Sequence, residues 1–69
     1  MNKMFKASES ACESVGVKEI TCDLKNFFIG EHVTLNVDGK TMTRRVYDNK
    51  DCGAYVRINN TMVCYYDFN

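Results

Sequence analysis

Four cysteines and one histidine are the residues of this chain best suited to chemistry, and they stand far apart, at positions 12, 22, 52, 64 and 32. A structural zinc site draws on closely spaced pairs such as C-x-x-C, which set two ligands on one knuckle. No such pair is present, so no metal is expected. A Cys–His catalytic pair meets in space rather than along the chain, so spacing alone leaves that chemistry open. However, a chain of 69 residues offers little room for a pocket of about 300 Å³ or more, the usual size of a small-molecule site. His32 lies between Glu31 and Val33 in an alternating segment, where it reads as a strand-surface residue. The expectation is a non-enzymatic protein with no catalytic residue and no cofactor.

Other motifs are weaker still. The loop DNKDCG matches a calcium-binding loop only in its first Asp and sixth-position Gly. Lys50 and Cys52 stand where oxygen ligands are required, and Asn59 stands in place of the bidentate Glu. The tripeptide NNT at 59–61 fits a glycosylation acceptor, but it is better explained as a turn. There is no Gly-rich phosphate loop, no G-x-S-x-G elbow and no paired-His motif.

The elements that must position these residues are a helix and a series of strands. Over residues 3–14, Met4, Phe5, Ser8, Ala11, Cys12 and Val15 recur at steps of three and four, which predicts a helix with one mostly apolar face. Asn2 is placed to cap it, and Gly16 to end it in a left-handed conformation. From residue 18 the period becomes two. Ile20, Cys22 and Leu24 share one face, as do Val33, Leu35 and Val37 in the next segment. Asp38-Gly39 supplies a hairpin turn. Met42 and Val46 then point inward. Arg44 shares their parity, which calls for a bulge or an edge position. AYVRI and TMVCYYDF form a second hairpin around Asn59-Asn60.

The expected fold class is therefore α+β, mostly β, in a single domain over residues 1–69. A short N-terminal helix (3–14) precedes a β meander (18–68) of about five antiparallel strands, which form a small barrel or a strongly curved sheet because closure hides sheet edges.

The segment FFIGEHVTLNVDGKTMTRRVYD resembles the opening of SH3-like barrels, where a Gly precedes an alternating Val strand and a Gly-containing turn. The residues carrying the likeness are Gly30, Val33, Leu35, Val37, Gly39 and Val46, within residues 27–68. The resemblance implies an SH3-like barrel, the alternative being a helix packed on an open antiparallel sheet. In overall style the chain also resembles small bacteriophage accessory proteins: a lone domain, Asn- and Lys-rich, without an enzyme motif. That likeness implies an inhibitor that binds one host protein, such as a defence factor, in the host cytoplasm.

Within the second hairpin the cysteines can be placed. A two-residue turn at 59–60 sets Ile58 opposite Thr61, Val56 opposite Val63 and Tyr55 opposite Cys64. By parity Cys52 then falls on the face away from Cys64, displaced along the strands by on the order of 10 Å. A disulfide needs Cα atoms within about 7 Å and Cβ atoms facing each other. Cys52 and Cys64 are thus not expected to bond unless residues 52 and 53 leave the strand, which Gly53 would permit. The expectation for all four cysteines is a small apolar side chain in a reduced interior, the alternatives being a Cys12–Cys22 or Cys22–Cys64 contact brought about by folding, or an oxidised chain in an exported product.

Composition sets the remaining bounds. Nine basic residues balance nine acidic ones, against the basic excess usual in polyanion binders. A chain this short buries only about 60% of its unfolded surface, so a staple would matter to its stability. Proline is absent, and no low-complexity tract or repeat is visible. The first residues lack the apolar stretch of a secretory signal, and no run approaches the roughly 20 apolar residues of a membrane span. A soluble, cytoplasmic protein without a membrane partner is expected.

Two binding surfaces follow. Tyr55, Arg57, Met62 and Tyr66 share the outward parity of the second hairpin, and Tyr and Arg dominate protein-binding hot spots. They are the candidate site for a protein partner, unless the helix packs on that face and makes them core. Alternatively, Arg44, Arg45, Tyr47 and Lys50, with Arg57 and the aromatics Phe28, Tyr55 and Tyr66, suit a nucleic-acid-binding barrel that stacks bases and tracks phosphates. Asp48, Asp51 and Asp67 stand against that alternative. Homodimerisation through a sheet edge or the tyrosine face also stays open.

Overall fold

A computed structural model of the chain describes residues 4–23 and 28–69. Among these, seven strands form two antiparallel sheets. The first holds β1 (Phe5–Lys6), β2 (Ile20–Cys22), β3 (His32–Val37) and β4 (Lys40–Arg45) in that order. The second holds β5 (Tyr47–Asn49), β6 (Gly53–Ile58) and β7 (Thr61–Cys64). One helix, α1 (Glu9–Val15), lies between β1 and β2, and a 3₁₀ turn, Tyr65–Asp67, follows β7. The mostly-β character is as expected, but the strands divide into two sheets rather than one meander.

The helix is shorter than the 3–14 expected, and a strand precedes it. Phe5 pairs with Cys22 and Lys6 with Thr21, so the first apolar residues serve a sheet edge instead of a helix face. Ser8 is the cap, with extended backbone and its Oγ accepting the Ala11 N–H at 3.2 Å. Glu9 in the first turn suits the positive end of the helix dipole. Gly16 ends the helix as anticipated, at φ 84°, its N–H donating to the carbonyls of Cys12 and Glu13. The expected cap Asn2, the helix start at position 3 and Leu24 fall outside the described residues.

Both hairpins turn where the sequence places them. Asp38 and Gly39 have φ of 50° and 85°, and Asn59 and Asn60 have 52° and 62°, the left-handed values that match strand twist in two-residue turns. Asp38 does more than turn the chain. Its Oδ1 accepts the N–H groups of Lys18 and Glu19, each at 2.9 Å, and its own N–H donates to the Glu19 carbonyl. The turn thereby ties the segment leaving α1 to the β3–β4 hairpin.

Ile20 and Leu35 of the first sheet, Val56, Ile58 and Val63 of the second, and Val46 between them form one core, all less than 2% exposed. Ala11, Cys12 and Val15 bring the buried side of α1 into this core, and Phe68 joins it from the C-terminal segment. Val46 forms one corner between the sheets: its N–H donates to the Glu31 carbonyl and its own carbonyl accepts from Gly30. Lys6 and Asn69 form the other, exchanging two backbone hydrogen bonds at 3.1 and 2.9 Å.

A closed barrel does not form. β4 runs near β6, but no ladder joins them. The pairing of β5 with β6 stops at Tyr47–Tyr55, so residues 56–58 of β6 lack a strand on that side. Arg44 explains the open seam. It has the core-facing parity of β4, opposite Val33, and an inward-pointing charge on an edge strand blocks further pairing. The edge position anticipated for Arg44 is the one found. No helix among the described residues is long and apolar enough to cross a membrane.

Candidate binding face and arginine cleft

The β6–β7 register has Ile58 opposite Thr61, Val56 opposite Val63 and Tyr55 opposite Cys64, as derived from the turn. Val56, Ile58 and Val63 are buried. The opposite face therefore carries Tyr55 and Arg57 on β6 and Met62 and Cys64 on β7. β5 extends it, because Tyr47 pairs with Tyr55 and alternation puts both side chains on one side of the sheet. The two rings lie 5.7 Å apart between centroids and are tilted by 32°, within the range of favourable aromatic pairs. Beside them, Arg57 faces Met62 across the strands, and the Met62 Sδ accepts from Asn49 Nδ2 at 3.6 Å.

The helix does not cover this face. Its buried residues point into the core. Its contacts to the second hairpin run along the turn, where Asn59 Nδ2 donates to the Val15 carbonyl and Thr61 Oγ1 to that of Ser14. Arg57 and Met62 are exposed, and Tyr55 is half-buried. Tyr66 is the most open aromatic of the group at 68%, but strand parity does not place it. The 3₁₀ turn begins at Tyr65, held by the Cys64 N–H donating to Asp67 Oδ2, so Tyr66 leaves the alternation that set it beside Tyr55.

The cysteines need correction. Cys52 and Cys64 form a disulfide, with Cα atoms 6.1 Å apart. Strand parity failed to anticipate it because parity does not extend through Gly53, whose φ is 86°. Asn49 Oδ1 accepts the N–H groups of Asp51 and Cys52. This folds the β5–β6 turn back, setting Cys52 over the outer face and onto Cys64. The expectation of four reduced interior cysteines thus holds for the burial of Cys12 and Cys22, which pack in the core, and fails for the other two. His32 is exposed on β3 opposite Arg45. Among the described residues no three His, Cys, Asp or Glu side chains converge.

At the rim of the tyrosine face, the open seam between the sheets forms a cleft of about 480 Å³ lined by Arg44, Arg45, Tyr47, Arg57, Asn59 and Asn60. Three of the four residues assigned to the nucleic-acid alternative meet here. Lys50 does not, because it sits in the β5–β6 turn at the far end of β5. Arg57, assigned to the protein-binding face, joins the cleft as well. Among the described residues no carboxylate pairs with Arg44, Arg45 or Arg57, and the ion pair found lies elsewhere, between Lys6 and Glu19. Arg44 Nη1 donates to the Thr43 carbonyl at 2.8 Å, which steadies one guanidinium.

Sequence reasoning read Asn59 and Asn60 only as turn residues and missed them as cleft lining. The inward parity of Arg44 was the available signal, since it marks where the sheets fail to join. Phe28 and Ile29 are also exposed, at 61% and 54%, at the turn that Gly30 makes before β3.

Comparison with protein-family models, curated proteins and solved structures finds no match to this chain.

Proposed function

We propose that this protein is a small non-enzymatic binding module that docks a protein partner on the outer face of its second sheet. The observation that carries this reading is the uncovered face itself: a contacting Tyr47–Tyr55 pair beside an exposed Arg57–Met62 pair. Tyr, Arg and Met are the residue types enriched at protein interfaces. The rigid sheet behind them limits the ordering cost of binding. As scaffold we propose an opened form of the SH3-like arrangement, with consecutive hairpins and one seam left unpaired. An inhibitor of the bacteriophage type, directed at a single host protein, is the finer form of this reading, and it draws on overall style alone. Because disulfides persist in oxidising surroundings, the Cys52–Cys64 bond favours a place of action outside a reducing cytoplasm.

The test is affinity capture from a bacterial lysate with tagged protein, with and without nuclease and at two salt concentrations. Wild type is compared with Arg57→Ala and Met62→Ala. The reading expects a stoichiometric protein that survives nuclease and is lost with both variants while their folding is unchanged. Capture unaffected by either variant would remove this face as the docking site. Recovery of nucleic acid alone, lost at higher salt, would replace the reading with the nucleic-acid alternative.

A further inference from the structure

We propose that the cleft in the open seam is a binding site for a nucleoside phosphate, a ligand distinct from the protein partner of the tyrosine face. Three arginines, Arg44, Arg45 and Arg57, line it, and none of them forms an ion pair with a carboxylate among the described residues. Like charges so placed repel one another, and an anion between them relieves that cost. Arginine forks match phosphate oxygens in geometry and donate paired hydrogen bonds to them.

The rest of the lining fits the other half of such a ligand. Tyr47 offers a ring that is 44% exposed and is in contact with Tyr55, and aromatic faces stack bases of any identity. Asn60 stands at the turn with a side-chain amide that has no partner among the described residues. An amide of this kind both donates to and accepts from a base edge. Against the expectation from chain length, the cleft volume of about 480 Å³ lies within the roughly 300–1,000 Å³ of small-molecule sites, because the unjoined seam opens space that a closed core would fill.

A short ligand fits better than a long strand. Beyond Tyr47, Asp48 on β5 and Asp51 in the β5–β6 turn are both exposed, so a polymer leaving the cleft past that turn meets carboxylates.

The experiment is an NMR titration of the intact, oxidised protein, following arginine Nε–H and asparagine side-chain resonances. The probes are inorganic phosphate, adenosine monophosphate, adenosine triphosphate and hexathymidylate, with sodium chloride at matched ionic strength as control. The two adenosine phosphates should shift Arg44, Arg45, Arg57 and Asn60 saturably, with the triphosphate binding more tightly, and inorganic phosphate should shift the arginines alone. Arg45→Ala should weaken monophosphate binding roughly tenfold, the loss of a charge-assisted contact, with the melting temperature unchanged. Tyr47→Ala should weaken the nucleotide and spare inorganic phosphate. Shifts that never saturate, or that sodium chloride reproduces, would overturn the site. Hexathymidylate binding far more tightly than the triphosphate, with a steep salt dependence, would overturn the small-ligand assignment in favour of a single strand.

Discussion

Cys52 and Cys64 are joined across the mouth of a hairpin in which strand alternation would keep them apart. One precedes β6 at a left-handed glycine and the other closes β7, their Cα atoms 6.1 Å apart. The bond pins the β5–β6 turn onto the outer face of the second sheet, next to the tyrosine pair.

The first expected outcome concerns this bond. Of the four cysteines, only Cys12 and Cys22 should react with a thiol reagent after unfolding without reductant. Prior reduction should raise the count to all four. Reduction, or Cys52→Ser with Cys64→Ser, should cost about 2–4 kcal/mol in urea unfolding, the usual value for closing a short loop. Four reactive thiols after unfolding without reductant would show that the bond is absent in solution.

Asp38 should matter more than an exposed turn residue normally does. Its carboxylate holds the N–H groups of Lys18 and Glu19. Asp38→Ala removes both bonds and leaves a side chain poorly suited to positive φ, for a loss of roughly 1–2 kcal/mol. Asp38→Asn keeps an acceptor and a turn-compatible residue and should lose less. Equal chemical denaturation midpoints for all three proteins would contradict this.

The ends of α1 make a matched pair of tests. Ser8→Ala deletes the cap acceptor of the Ala11 N–H and should cost about 1 kcal/mol. At Gly16 an added Cβ meets nothing within 4 Å, but φ is +84°. Gly16→Ala should therefore cost about 1–2 kcal/mol through backbone strain alone. Thermal melts that do not shift for Gly16→Ala would mean the helix ends differently.

The exposed pair on the outer face should behave in the opposite way. Arg57→Ala and Met62→Ala remove exposed side chains, so stability should stay within about 0.5 kcal/mol of wild type. Partner capture is the property that should fall. A large loss of stability in either variant would show that these side chains support the sheet.

Local chemistry was readable from the sequence wherever one residue type settles one geometry. Asp38-Gly39 and Asn59-Asn60 turn the chain, and the second turn alone dictates the pairing of Tyr55 with Cys64. Gly16 closes the helix. The face carrying Arg57 and Met62 followed from alternation and is exposed. What escaped was non-local or interrupted alternation. Met4 and Phe5 have helical spacing relative to Ala11 and Cys12, yet Phe5 finds Cys22 as a strand partner, a choice that depends on a segment far along the chain. Gly53 breaks the parity on which the cysteine argument rested. The cleft depends on two sheets failing to close, which no single segment encodes, although Arg44 at an inward position hinted at it.

The hydrogen bonds between Lys6 and Asn69 bring the two ends of the described chain side by side. A short peptide bridge between them would therefore span little distance, and the break could be moved to the exposed Asn59-Asn60 turn. Such a rearranged chain would keep every core residue while cutting the connection between β6 and β7. The disulfide would then be left as the covalent tie between those strands near the tyrosine face.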